Sequence, residues 1–342
     1  MSHDSTGPQA IETYGARDTS SVAPGLHRFA IVAASATFCL IFIGGLVTST
    51  GSALAVPDWP LSFGHLIPTY WRGGVPFEYG HRVAAGTVSI LTLIIALWTW
   101  MAERRRWVRY TALAALGLVI FQAVLGGVTV LMELPLPIAV AHAATAQAFF
   151  CLMVAIVLFS DPRWESEWGF APGGDSRRLA PLAFVTLAII YVQILIGAVM
   201  RHMGAGLVIP DFPLAFGHLV PPEFNVPIAV NFAHRCGAVI VTIMIIWTAA
   251  RSFAIYRGEP KMRHLAIQLV VLLAFQILLG ATTIWTRRAI IPTTAHVAIG
   301  AAVLATSLAL ALRAVHRERR PAGAGKEAAG AMAAMVERKV TA

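Results

Sequence analysis

Eight apolar runs, each near the roughly 20 residues that a helix needs to cross the hydrocarbon core of a bilayer, constrain this 342-residue chain more than any other feature. Their cores run from Phe29 to Ser49, Val83 to Met101, Tyr110 to Met132, Ile138 to Ser160, Leu179 to Met200, Ile228 to Ala250, Leu265 to Trp285 and Ile291 to Leu312. Hydrophobic residues make up 57% of the chain and charged residues only 13%, which also points to the membrane. The first 26 residues are polar, with no basic cluster ahead of an apolar run, so they read as a tail and not a cleavable signal. The stretch from Pro321, rich in Ala and Gly, reads as a second, loosely ordered tail.

The runs fall four and four, and the chain repeats itself. Residues 51–68 and 204–221 agree at 11 of 18 positions at an offset of 153, both holding Pro-Asp-aromatic-Pro followed by Phe-Gly-His. Such a repeat marks a duplicated unit. His81-Arg82 and His234-Arg235 follow at the same offset, and His142 and His296 pair at an offset of 154. Four crossings return the chain to its starting side, so both halves share one orientation, related by an axis along the membrane normal. The expected fold is all-α: eight transmembrane helices as two tandem four-helix bundles related by a pseudo-twofold. The expected parts are a cytoplasmic tail (1–26), a first unit (27–160), a cytoplasmic linker (161–178), a second unit (179–315) and a cytoplasmic tail (316–342).

Basic residues crowd alternate connections. Arg104, Arg105, Arg106 and Arg109 follow the second run, Arg177 and Arg178 the fourth, and Arg251, Arg257, Lys261 and Arg263 the sixth. Arg313, His316, Arg317, Arg319 and Arg320 end the eighth. The positive-inside rule then places both termini in the cytoplasm of a plasma-membrane protein and the repeated loops outside. The net charge of +9 is topology, and a nucleic-acid partner is not indicated. Cys39, Cys151 and Cys236 lie in the apolar runs without Cys-x-x-Cys spacing and read as packing residues.

His81, His142, His234 and His296 all fall near the outer ends of even-numbered helices. A single intramembrane histidine is most simply a helix–helix hydrogen bond, because a polar group in an apolar span needs a partner. Two per unit, level with one another and duplicated, match what bis-histidine ligation of a haem iron requires. Zinc or copper has no duplicated carboxylate or thiolate to complete its ligand set. A proton-coupled transporter would spread ionisable groups along a path and not at one face. Arg82 and Arg235 suit a haem propionate, and equally a snorkelling role at the interface. The repeated loops read as lids capped by Asp58 and Asp211, and His65 and His218 within them read as solvent-facing.

The halves differ at one chemical position: Glu78 precedes His81 by three residues, where the second half has Asn231. Residues at i and i+3 share a helix face, so a group able to carry a proton stands beside one histidine pair only. An ion pair with Arg82 at i+4 is its structural role, compatible with the chemical one. The matched Phe121-Gln122, Phe275-Gln276, Leu125-Gly126 and Leu279-Gly280 suit close helix packing with an amide hydrogen bond.

Taken together, the eight helices, the Glu-x-x-His-Arg motif at Glu78 to Arg82, the second His-Arg and the loop Gly-x-x-x-x-x-Pro-Asp-Trp-Pro resemble the haem A synthase family over residues 28–315. That resemblance implies oxidation of the C8 methyl of haem O to the formyl of haem A. It implies haem b between His234 and His296, with Arg235 beside it, and the substrate haem facing His81, His142 and Arg82, with Glu78 needed for catalysis. Many bacterial members have two cysteines where this chain has Val56 and Ser62, so a loop disulfide is excluded here. Neither electron donor nor oligomeric state is legible, and handover from a haem O synthase and self-association stay open. A di-haem cytochrome that only transfers electrons, and a haem carrier, are the competing classes.

Overall fold

The computed structural model describes residues 24–164 and 178–318. Eight helices account for most of them: α1 (Pro24–Ser49), α2 (Val75–Ala102), α3 (Arg106–Leu131), α4 (Leu136–Phe159), α5 (Ala180–His202), α6 (Val226–Ile255), α7 (Pro260–Trp285) and α8 (Ile290–Glu318). All eight are long and apolar enough to span a membrane. Among the described residues there is no strand, only the isolated bridges Ser62 to His65 and Ala215 to His218. The chain is an all-helical, multi-pass membrane protein. The expected tails and inter-half linker, with Arg177, Arg319 and Arg320, fall wholly or largely outside the described residues.

The helices begin earlier than hydropathy suggests. α2 starts at Val75 instead of Val83, opened by Pro76 in its first turn, where a missing N–H costs nothing. Glu78, His81 and Arg82 are therefore helical residues with fixed directions, as their i, i+3 and i+4 spacing requires. α6 starts in the same way at Val226, with Pro227 in its first turn and the Asn225 side chain accepting from the Ile228 N–H.

Within each half the helices close a ring. α1 and α3 each pack on α2 and α4, and α5 and α7 each pack on α6 and α8. The halves meet through α1–α8, α4–α5 and α4–α8, a pattern compatible with two tandem bundles. α8 lies at the centre: 61% of its most apolar window is buried, against 17–39% for the other seven. Its inward positions are small, among them Gly300, Ala301, Ala311 and Ala314, which lets neighbouring backbones approach. At its far end Glu318 accepts from the N–H groups of Leu179 and Ala180, tying α8 to the start of α5. The outward faces of α2, α3, α6 and α7 expose large apolar side chains such as Ile90, Leu97, Ile120, Val239 and Ile243, as a lipid-facing belt requires.

Candidate functional site

All four histidines lie about two turns into α2, α4, α6 and α8, on the side of the molecule that carries the two long loops. Each imidazole presses its Cε1 against a glycine of the preceding helix. A Cβ added at Gly44, Gly126, Gly197 or Gly280 would stand 3.1, 3.2, 2.9 or 3.1 Å from the Cε1 of His81, His142, His234 or His296 respectively. A methyl would force the ring to shift at Gly197 and crowd it at the other three, so the glycines fix how closely each ring approaches its neighbouring helix.

The ring centroids of His234 and His296 are 6.5 Å apart, with planes inclined at 69°. A metal–nitrogen bond of about 2 Å on each side, plus about 1 Å from nitrogen to ring centre, places two axial imidazoles roughly 6 Å apart. The second-half pair fits that span. His81 and His142 are close enough to interact electrostatically, although their Nδ1 atoms are buried without a partner. Among the described residues no three His, Cys, Asp or Glu side chains group so as to hold a metal ion. Cys39 and Cys236 are exposed and Cys151 half-buried, all three free.

Glutamines distinguish the halves. In the second, His296 Nδ1 lies 3.1 Å from the Gln276 carbonyl oxygen, the contact that puts the proton on Nδ1 and leaves Nε2 a lone pair. The Gln276 carboxamide nitrogen meets that Nε2 at 3.3 Å. His234 is held by Gln193, whose amide donates to the His234 carbonyl at 2.7 Å and lies 3.1 Å from Nδ1. The Gln193 Oε1 is buried and unpartnered. In the first half the counterpart of Gln193 is Leu40, which offers no hydrogen bond. Gln122 reaches only the main chain of His142, at 2.8 Å, and Thr145 donates to its Oε1. Two imidazoles therefore have hydrogen-bonded Nδ1 atoms and two do not.

The loops are held from below by the arginines. Arg82 Nη1 donates to the carbonyls of Asp58 (2.8 Å) and Leu61 (2.7 Å), and Nη2 to that of Val56 (3.1 Å) and to Glu78 Oε1 (2.7 Å). Glu78 is 4% exposed, and its other oxygen accepts from the Val56 N–H at 2.9 Å. The expected i, i+4 ion pair is present. Arg235 does the same work with its three guanidinium nitrogens on Asn231 Oδ1 and the carbonyls of Leu214 and Ile209. Asn231, however, donates to the Ala205 carbonyl at 2.8 Å, where Glu78 accepts from a backbone N–H. The polarity of the loop contact is reversed between halves.

Asp58 and Asp211 cap the loop turns. Each accepts from two successive N–H groups, Phe63 and Gly64 or Phe216 and Gly217, at 2.7–2.8 Å. The Gly64 N–H, then the Phe63 N–H and the charge of Arg82, hold Asp58 below its usual 3.8. The Gly217 and Phe216 N–H groups and Arg235 do the same for Asp211. His65 and His218 are exposed in these loops. The lid also rests on the bundle: a Cβ on Gly127 of α3 would stand 2.5 Å from the Trp59 ring.

Residues 75–326 match the COX15-CtaA family model, described as cytochrome oxidase assembly protein. The chain belongs to that family. A protein named Heme A synthase from Shouchella clausii is 30% identical over 255 residues, covering 72% of this chain and 83% of that protein. Proteins of the same name from Alkalihalophilus pseudofirmus and Geobacillus kaustophilus are 29% identical over 273 residues (78% and 89% covered) and 24% over 307 (87% and 95%). As a COX15-CtaA member this chain shows site residues that its motifs did not announce: Gly44, Gly197, Gln193 and Arg201. The signal for them was the repeat offset, which sets Gly44 against Gly197, Leu40 against Gln193 and Thr48 against Arg201.

Proposed function

We propose that this protein is a haem A synthase, a membrane oxidoreductase that takes haem O as substrate and oxidises its C8 methyl to the formyl of haem A. The observation that carries this reading is the pair of imidazole couples built on one plan and supported differently. His234 and His296 hold haem b, their rings fixed by Gln193 and Gln276; His81 and His142 face the substrate, their rings free of such contacts. When bound, haem b supplies one-electron redox chemistry. The chain itself holds each ring against its glycine, closes the loops over both sites through Arg82 and Arg235, and excludes water from the substrate methyl.

Two hydroxylations by an oxidant from outside the chain, a four-electron oxidation in all, and loss of water from the geminal diol convert methyl to formyl, so protons must move beside the substrate. Glu78 is the group suited to that task, because it is buried, ionisable and present only in the first half. Its Oε1 stays with Arg82, and Oε2, held by one backbone N–H, is the atom at which a proton is taken up. The Arg82 contact positions the carboxylate and does not compete with that role. Basic residues cluster at the helix ends opposite the histidines, which supports cytoplasmic termini and sites facing outward. The resulting arrangement is two units related along the membrane normal, with boundaries near 27–160 and 179–315.

The test is production of haem A in cells that make haem O and lack their own haem A. Expression of this protein should convert extracted haem O to haem A, and Glu78→Gln should retain bound pigment without that product. Haem O that stays unconverted beside well-folded protein would overturn the assignment. A di-haem electron carrier would give that result, and it has no use for a carboxylate in one half alone.

A further inference from the structure

The outer end of the second half holds two arginines that the loops do not occupy. Arg201, in the last turn of α5, sends Nη2 across to α1, 2.8 Å from the Gly45 carbonyl and 2.9 Å from Ser49 Oγ. Its Nε is buried and has no partner. Arg288 follows α7 in a left-handed backbone conformation (φ 66°), half-buried and close to Gly206. The two charges are near enough to repel, and Arg201 also acts on His296. Among the described residues no carboxylate pairs with either. Two adjacent cations at a membrane protein's interior edge are costly unless an anion joins them. The first half lacks the feature, with Thr48 and Leu134 at the corresponding positions.

We propose that Arg201 and Arg288 form a carboxylate-binding cradle for the propionates of the tetrapyrrole held between His234 and His296. The proposal rests on the reading of those histidines as haem ligands. Guanidinium groups donate strong charge-assisted hydrogen bonds to carboxylates, and the buried, unpartnered Nε of Arg201 is such a donor. Arg235, the arginine suggested by its place beside His234, already sets its three nitrogens on Asn231, Leu214 and Ile209, whereas the Nε of Arg201 is uncommitted. The second half thus grips its ligand at the iron and at the acid side chains. The first half grips it less, as a site that must release a product requires.

The experiment uses purified holoprotein in a His142→Ala background, which leaves the second-half ligand to be observed alone. Resonance Raman spectroscopy follows the propionate bending band, and transfer of haem b to excess apomyoglobin gives the release rate. Arg201→Gln and Arg288→Gln should each shift the propionate band and speed release, by about tenfold for Arg201, while the low-spin bis-histidine signature persists. An unmoved propionate band in both variants would overturn the proposal, even with faster release, since Arg201 would then only brace α5 against α1. Arg288 makes no such brace, so its variant carries the test if Arg201→Gln loses its fold. Absence of any bis-histidine spectrum in the background protein would instead remove the ligand assignment beneath the proposal.

Discussion

Replacing Gly197 by Ala is the sharpest perturbation that the packing allows. The new Cβ would lie 2.9 Å from His234 Cε1, where ordinary contact begins at 3.4 Å. The ring must retreat by about 0.5 Å, which is the whole tolerance, roughly 0.5 Å, within which a ligand set stays productive. Overpacking of this kind costs about 1–3 kcal/mol, while alanine in place of a helical glycine returns about 0.5–1 kcal/mol. Net destabilisation of up to about 2.5 kcal/mol is therefore expected, with a disturbed axial ligand. Gly117→Ala in α3 is the control, since nothing lies within 4 Å of its Cβ position; it should stabilise by about 0.5–1 kcal/mol. Haem content, the low-spin absorption and paramagnetic resonance spectra, and thermal melting would be compared. Gly44→Ala and Gly280→Ala, both at 3.1 Å, should be milder, and Gly126→Ala at 3.2 Å milder still. A Gly197→Ala protein with unchanged haem spectra and the stability gain of Gly117→Ala would refute the role given to the glycines.

Four further outcomes follow from the same geometry. Glu78→Gln should keep bound tetrapyrrole but lower haem A formation by about 10²–10⁴-fold, the range of general acid–base contributions, and chromatography of extracted pigment checks it. Leu40→Gln supplies His81 with the carboxamide that Gln193 gives His234, so release of the first-half ligand should slow by the worth of one hydrogen bond, about 0.5–1.5 kcal/mol; unchanged release in a transfer assay contradicts this. Gly127→Ala should destabilise by about 1–3 kcal/mol through collision with Trp59, and Trp59→Phe should relieve it, because the second half pairs Phe212 with Ala281 at the same positions; thermal melts decide. Asp58 and Asp211 titrate below their usual 3.8 in the folded loops, so their contribution is present above that value and is lost as pH falls through the lowered one. Limited proteolysis of the loops should stay constant from neutral pH down to the ordinary carboxylate range and rise below it, and Asp58→Asn should raise it at neutral pH.

The number and type of helices were legible because each span needs its own apolar run, and the long-range partners of α1 and α8 do not change that requirement. Their exact starts were not: Glu78, His81 and Arg82 lower the local hydropathy of α2, so the apolar core at Val83 does not mark the first helical residue, Val75. The central place of α8 was also hidden, since its mean hydropathy of 2.0 equals that of α6, and only its burial separates them. Among site residues, the four histidines and the Glu78 to Arg82 pair were visible through duplication and i, i+4 spacing. The glycines facing the histidines depend on interhelical register, which one sequence does not state. The carbonyls that engage Arg82 and Arg235 have no side-chain signature at all, and so the loop contacts of those arginines were not legible.

The central claim is that two similar histidine pairs serve different ends, and pigment extraction from the purified protein tests it most directly. Extracted pigment should hold haem b together with haem O or haem A, with His81→Ala and His142→Ala removing the latter and His234→Ala and His296→Ala removing haem b. Two equivalent b haems, with neither haem O nor haem A in any preparation, would contradict it.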